Sequence, residues 1–359
     1  MKKIFLYAYD RINLGDDLFV HTITKRYPDV KFFLWSTAIN RTTFSSLKNL
    51  VVLDQESFII RFLQKIRPSL AIRFKHNKEM SCDAVVYIGG SLFIEYDNWK
   101  QFLTWWKYEA LNRNFYVIGA NFGPYHSEAY RESISGIFSI MKDVCFRDKY
   151  SRSLFSDIKT VRYAPDILFS YPVKEKKTER KQVFVSVIDC KSKDEGDNKL
   201  SDCENSYISM MVNLIKDFVG KGYKVILSSF CKAEGDELGV EKIRSTIPKD
   251  ITRIVNYNGT NLQEILDTIE ESSFILATRF HAAVLGFAAG KAVLPVIYSD
   301  KTKHVLEDVG FSGLYLDIRH MGKIDLDSLI QNIDCQTITG IDEIKTQSEL
   351  HFQKLDQVF

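Results

Sequence analysis

Paired cysteines are missing from this chain of 359 residues: the six it has, at positions 82, 145, 190, 203, 231 and 335, form no Cys-x-x-Cys pair. That spacing argues against a zinc site and against a disulfide framework, and implies reduced thiols. A dominant charge of one sign is also lacking. With 48 Lys and Arg against 46 Asp and Glu the formal net charge is only +2, so no nucleic-acid partner is expected, although a small anion can still be held locally. No apolar run reaches the length of a membrane span, and the apolar stretch at 4–9 is too short for a signal peptide, so a soluble cytoplasmic protein is expected. Nor is there a short-period repeat, a low-complexity tract, a heptad seam or a cluster of metal ligands, so neither metal nor cofactor is expected.

What the chain does have is ample core material, 45% hydrophobic residues with 26% charged, enough for two packed domains. Short apolar runs alternate with amphipathic stretches, the pattern that buries a mostly parallel sheet between helices. In the first half, strands are expected at 4–9, 30–34, 51–53, 84–88, 115–119 and 144–146, with helices at 17–26 and 99–112. A charge run at 174–181 reads as a linker. Beyond it the alternation resumes, with strands at 183–187, 225–229, 254–255, 274–277 and 292–297, and helices at 207–219, 236–245, 262–270 and 282–289. The fold class is therefore α/β: two Rossmann-like domains, at 1–172 and 173–335, facing across a cleft, followed by a C-terminal helix within 336–359. In such sheets ligands bind where the carboxyl ends of strands meet helix N-termini, so the candidate site lies on strand-to-helix turns.

The first turn contains Asn13-Leu14-Gly15-Asp16-Asp17. An aspartate there either caps the helix, a role worth ~0.5–2 kcal/mol, or serves as a base or sugar-hydroxyl acceptor, since it would repel an anion. Gly89-Gly90-Ser91 follows the strand at 84–88, where paired glycines let backbone N–H groups approach an anion; a tight turn has the same composition. Arg147 stands directly after an apolar strand and suits either a ligand carboxylate or phosphate, or an ion pair with Asp148 or Asp166. Thr278-Arg279-Phe280-His281 opens a small-residue helix and puts a cation beside an imidazole able to exchange protons near neutral pH, against the alternative of a structural histidine. Lys301, after the strand at 292–297, offers another cation.

Taken in order, Asn13-Leu14-Gly15-Asp16, Gly89-Gly90-Ser91, Phe146-Arg147-Asp148 with Ser151, Pro165-Asp166, Gly235-Asp236, Arg279-Phe280-His281-Ala282 and Tyr298 with Lys301 resemble the motifs of the polysaccharide pyruvyl transferases, from about residue 4 to residue 311. Ser91 departs from the third glycine that many members carry. The resemblance implies a GT-B-like architecture, phosphoenolpyruvate as the donor substrate in place of a sugar nucleotide, and Asp16, Arg147 and His281 as the functional residues, with Arg279 beside them. The expected chemistry moves a pyruvyl ketal onto a sugar of a bacterial surface polysaccharide or its lipid-linked precursor. His281 would be the acid, Asp16 the base with Asn13 beside it on the acceptor side. Arg147, Arg279, Lys301, Gly89, Gly90 and Ser91 would hold the donor. Two rivals stand beside this reading: a sugar-nucleotide glycosyltransferase of the same architecture, and a non-catalytic binder of anionic saccharides.

Two further features bear on the acceptor. Tyr96, Trp99, Trp105 and Trp106 offer an aromatic platform for a sugar, although aromatics at helical spacing are more often core. Residues 58–78 mix Arg61, Lys65, Arg67, Arg73, Lys75 and Lys78 with apolar side chains. That composition fits a solvent-facing helix pair or, as a sharper expectation, peripheral contact with the inner face of the cytoplasmic membrane, where a polyprenyl-diphosphate-linked acceptor would reside.

Overall fold

The computed structural model describes residues 1–175, 181–194, 199–320 and 326–359. They divide into two units: Met1–Asp10 with Asp16–Ile167 and Ser348–Phe359, and Arg11–Gly15 with Leu168–Gln347.

In the first unit the strands are β1 (Lys3–Tyr7), β2 (Lys31–Ser36), β3 (Leu50–Asp54), β4 (Ala84–Ile88), β5 (Ser91–Phe93), β6 (Phe115–Phe122), β7 (Asp143–Phe146) and β8 (Val161–Tyr163). They pair in parallel in the order β3-β2-β1-β4-β6-β7-β8, with β5 beside β6. All eight residues of β6 are buried, which is why the segment reads as an apolar run and not as an alternation: a parallel sheet is covered on both faces. The helix Trp99–Asn112 turns Leu103, Trp106 and Ala110, one helical face, toward this core, and Trp106 meets Phe115 of β6 with ring centroids 5.5 Å apart.

Strands of the second unit are β9 (Gln182–Ser186), β10 (Lys224–Ser228), β11 (Thr252–Ile254), β12 (Phe274–Ala277), β13 (Ala292–Ile297) and β14 (Leu316–Asp317), again all parallel, in the order β11-β10-β9-β12-β13-β14. The helix Glu204–Gly220 buries Tyr207, Met211, Leu214, Ile215 and Phe218 against it. Each sheet thus has the doubly wound order of a Rossmann-like unit. The winding reverses between β1 and β4 in one and between β9 and β12 in the other, and these switch points are where such sheets bind ligands.

Two expected boundaries move. The division falls between Ile167 and Leu168 and not at 172/173, because Ile167 still packs on the first sheet: its Cδ1 would lie 2.9 Å from a Cβ placed on Gly119. Of the expected linker, residues 176–180 lie outside the described residues, while Lys174 already donates its backbone N–H to Glu270 (2.9 Å) in the second unit. The C-terminal segment is not one helix but Ile341–Ser348, a 3-10 turn Glu349–Phe352 and the short helix Gln353–Asp356. From Ser348 onward it is part of the first unit, where Ser348 donates to the Asp166 carbonyl (2.7 Å) and the Gly119 N–H donates to His351 Nδ1 (3.3 Å).

Candidate functional site

In the first unit the turn after β4 is Gly89-Gly90, at the β1/β4 switch point. A Cβ on Gly90 would stand 2.7 Å from Nη2 of Arg147 and 2.8 Å from both its Cζ and Nη1, so the flat face of the guanidinium lies directly against the glycine. Only a residue without a side chain fits there. Arg147 itself is buried; it donates from Nη1 to Asp166 (3.0 Å) and from Nη2 to the Asn121 amide oxygen (2.8 Å). The rest of its motif is scaffold. Asp148 caps the next helix by accepting from the Ser151 N–H (2.7 Å) and hydroxyl (2.9 Å), and the Ser151 hydroxyl oxygen accepts from the Phe122 N–H (2.8 Å) at the end of β6. Asp16 approaches the same turn from the other side, its Oδ1 4.0 Å from a Cβ built on Gly89. Asp16, Gly89-Gly90 and Arg147 therefore form one cluster.

Beside this cluster opens a cavity of about 520 Å³, lined among others by Tyr87, Ser91, Tyr96, Trp99, Phe102 and Trp105. Tyr96 and Phe102 are exposed and Trp99 and Trp105 half-buried, while Trp106, which also lines the cavity, is buried in the core. The aromatic row thus serves cavity and core together. Burial, and after it the negative field of Asp16 and of Tyr96, push the Tyr87 phenol up to about 12. It stays a neutral hydroxyl.

In the second unit the segment Arg11–Gly15 packs with Leu168–Gln347. Asn13 precedes the helix Leu14–Arg26 and caps it, its Oδ1 accepting from the Gly15 N–H (3.1 Å) while its Nδ2 donates to Glu234 (3.4 Å). A Cβ on Gly15 would come within 1.7 Å of Nδ1 of His281. The imidazole therefore rests on bare backbone at Gly15, and Asp16 is the next residue in the chain. His281 lies in the first turn of the helix Phe280–Ala288, at the carboxyl end of β12 and hence at the β9/β12 switch point.

Arg279 is engaged on every side of its fork. Nε donates to Asp236 (2.7 Å), Nη2 to the other oxygen of Asp236, and Nη1 to Glu234 (2.6 Å). Asp236 also accepts from the backbone N–H groups of Phe230 (3.0 Å) and Cys231 (2.9 Å). Burial alone would raise the Glu234 carboxyl, but Arg279 and Lys193 hold it down at about 2. Gly235, between the two acids, has φ +78°, and a Cβ there would meet Ser192 Oγ at 2.3 Å, so the turn that presents both carboxylates requires glycine.

Several sequence expectations change accordingly. Arg279, expected to hold the donor, is a buried strut between Asp236 and Glu234; Asn13, expected on the acceptor side, spends both ends of its amide on the helix cap and Glu234. The cap falls to Asn13, leaving Asp16 in the first helical turn, half-buried. Ser91 is exposed at the start of β5, and Lys301 is half-buried in the first turn of the helix Asp300–Asp308 after β13. Of the groups that fix the two arginines, sequence reasoning offered Asp166 as an ion-pair partner of Arg147 and missed Asn121, Glu234 and Asp236. Among the described residues the group with metal-ligand spacing is His76, Glu79 and Glu109, and there Arg113 already pairs with Glu79 (3.2 Å) and Glu109 (2.9 Å).

By fold the protein falls in the GT-B class, a chain of two Rossmann-like units with parallel sheets. It is similar over 100% of its length to 96% of Anabaena Alr3699/HepE, solved in complex with UDP-glucose, at 12% identity and a TM-score of 0.56. It is similar over 99% of its length to all of the UDP-GlcNAc 2-epimerase of Methanocaldococcus jannaschii, at 12% identity and a TM-score of 0.58. At such identities the likeness concerns the fold. The sequence is decisive about the family: the profile of the polysaccharide pyruvyl transferases matches residues 13–300, and the chain belongs to that family. A curated relative, the amylovoran biosynthesis protein AmsJ of Erwinia amylovora, is 20% identical over 259 residues, a match that spans 67% of this chain and 62% of that protein.

Proposed function

We propose that the protein transfers the pyruvyl group of phosphoenolpyruvate to two hydroxyls of a saccharide, forming a cyclic ketal. The observation that carries this reading is that the family's motifs fall on both switch points, with Arg147 against Gly90 in one unit and His281 against Gly15 in the other. Family membership supports the transferase; donor and acceptor are this proposal's own.

Phosphoenolpyruvate is an enol ester of phosphate, so its methylene carbon accepts a proton and leaves an oxocarbenium-like centre at C2. His281 supplies that proton, a contribution of about 10²–10⁴-fold in rate. A sugar hydroxyl then adds to C2 and gives its proton to Asp16. The C2–O bond to phosphate breaks, the electron pair leaving with phosphate, and the second hydroxyl adds to C2 and closes the ring, its proton passing to the imidazole of His281, which regains the one it gave, while the proton on Asp16 leaves with the phosphate. Arg147 supplies the fixed planar cation that an anionic donor needs, pre-organised by Asp166, Asn121 and Gly90 so that little reorganisation remains at the moment of reaction. The aromatic cavity by Tyr87 and Ser91 receives the sugar ring, whose C–H face stacks on aromatic rings while its hydroxyls meet polar groups at the rim. Arg279 acts through the turn it braces.

Release of inorganic phosphate from phosphoenolpyruvate, dependent on added glycosides ending in galactose, glucose, mannose or N-acetylmannosamine, tests the reading. Parallel reactions with UDP-, GDP- and ADP-sugars test the glycosyltransferase alternative. His281→Ala is expected to lower turnover by about 10²-fold or more; near-full turnover would remove the acid assignment. Release of nucleoside diphosphate in place of phosphate would replace the proposal.

A further inference from the structure

The segment expected to be a solvent-facing or membrane-facing helix pair is the helix Phe58–Ile66 followed by the helix Pro68–Met80. Its inward side is thin: Ile60 and Ala71 are buried, with Leu63 partly so. Its outward side is strongly apolar. Phe58 is 82% exposed, Ile59 56%, Phe62 53%, Ile66 59% and Ile72 69%. On the first helix, positions 58, 59, 62 and 66 fall within one arc at 100° per residue, a stripe distinct from the one that Ile60 and Leu63 turn inward. Phe58 and Phe62 already stack on each other, with centroids 6.2 Å apart and planes at 16°.

Cations predominate on this surface, whose two helices carry one acid, Glu79, half-buried and paired with Arg113. Residues 58–78 hold Arg61, Lys65, Arg67, Arg73, Lys75 and Lys78 and no aspartate or glutamate, in a chain whose formal net charge is +2. Lys75 lies over the Trp35 ring (5.5 Å), and Arg61 reaches Glu56 (2.9 Å) just before the helix through a pair exposed on both sides. The others are exposed as well, on or beside the helices that carry the apolar stripe.

We infer that this helix pair is a docking surface for an anionic phospholipid bilayer, the apolar stripe of Phe58, Ile59, Phe62 and Ile66 entering the headgroup region while the flanking Arg and Lys contact lipid phosphates. Large exposed aromatic and aliphatic side chains bordered by an excess of cations match a surface that is negative at the headgroups and apolar beneath. An acidic protein partner would account for the cations but not for the apolar arc. A second copy of the chain would set like charges against each other. The inference is independent of which donor and acceptor the protein uses.

The test is co-sedimentation of the full chain with vesicles of phosphatidylcholine containing about one-quarter phosphatidylglycerol, and with vesicles of phosphatidylcholine alone, at low and high salt. Expected is at least ~10-fold stronger partitioning to the anionic vesicles at low salt, weakened by high salt. The triple variant Phe58→Ser, Phe62→Ser, Ile66→Ser and the pair Lys65→Glu, Arg73→Glu should each abolish most of it. All five sites are exposed, so circular dichroism and thermal unfolding should match the wild type. Wild type that stays in the supernatant, or binds both vesicle types equally, overturns the inference. So does a salt-resistant self-association that the serine variant removes, because the stripe would then be covered by a second copy.

Discussion

Arg147 directly follows the buried strand β7 and Arg279 stands one residue beyond the buried strand β12, and both are buried, yet they keep different company. Arg147 donates to the carboxylate of Asp166 and to the neutral amide of Asn121, with its flat face on Gly90. Arg279 gives its fork to two carboxylates, Asp236 and Glu234. An arginine at a strand end thus announces that an anion is needed there without saying whose. In both units the chain supplies an anion itself, Asp166 to Arg147 and Asp236 with Glu234 to Arg279, and His281 stands two residues beyond Arg279. The two units also use glycine alike: Gly90 makes room for a guanidinium and Gly15 for an imidazole, so the functional group in each is positioned by the absence of a side chain.

The largest effect should come from restoring one side chain. Gly15→Ala places a Cβ where Nδ1 of His281 now lies and is expected to cost about 10²-fold or more in turnover. Gly136→Ala, where nothing lies within 4 Å of the added carbon, is the matched control and should be silent in steady-state assays. Equal activity in the two variants would break the parallel between the glycines.

Next in size is the fate of Arg279. Arg279→Met leaves Asp236 buried without its cation, and Glu234, half-buried, with Lys193, and should cost ~3–5 kcal/mol in urea unfolding, while the folded variant keeps its affinity for phosphoenolpyruvate in isothermal titration. Unchanged stability with lost donor affinity would return Arg279 to the ligand.

Smallest and most gradual is the acid response, which should differ between the units. Burial holds His21 down at about 4 and His351 at about 3, against an ordinary 6.5. Below pH 6.5 the unfolded chain therefore takes up protons that the folded first unit refuses, and stability falls by up to ~1.4 kcal/mol per pH unit for each histidine. Glu109, raised to about 7 by burial, opposes this with one proton of its own. In the second unit Glu234, held at about 2, contributes stability that is fully present above its ordinary 4.5 and lost only below it. All four tryptophans lie in the first unit, so their fluorescence should change between pH 6.5 and 4 while much of the far-ultraviolet circular dichroism persists. Coincident transitions below pH 4 would contradict this.

Much of this organisation was legible in the sequence because buried parallel strands are written as apolar runs: β4, β12 and β13 lie on the expected residues. The three-residue β5 and β8 and the two-residue β14 are too short to carry a pattern and went unseen. Turns bearing Asp16, Gly89-Gly90, Arg147 and His281 were found at strand ends for the same reason. Apart from Asp166, offered as an ion-pair partner of Arg147, the partners were not. Asp236 and Glu234 stand 43 and 45 residues from Arg279, and Asn121 stands 26 from Arg147, and a pairing made by tertiary packing leaves no local trace. The break in the C-terminal helix at Ser348 was equally invisible, since it is fixed by a hydroxyl reaching the Asp166 carbonyl.

The most direct test of the proposed chemistry is to run the reaction in heavy water and examine the product by mass spectrometry and NMR. Protonation of the donor's methylene carbon predicts a saccharide ketal whose methyl group carries one solvent-derived deuterium, formed by wild type and lost in His281→Gln. A ketal methyl free of deuterium, a retained vinyl ether, or a transferred hexose would contradict it.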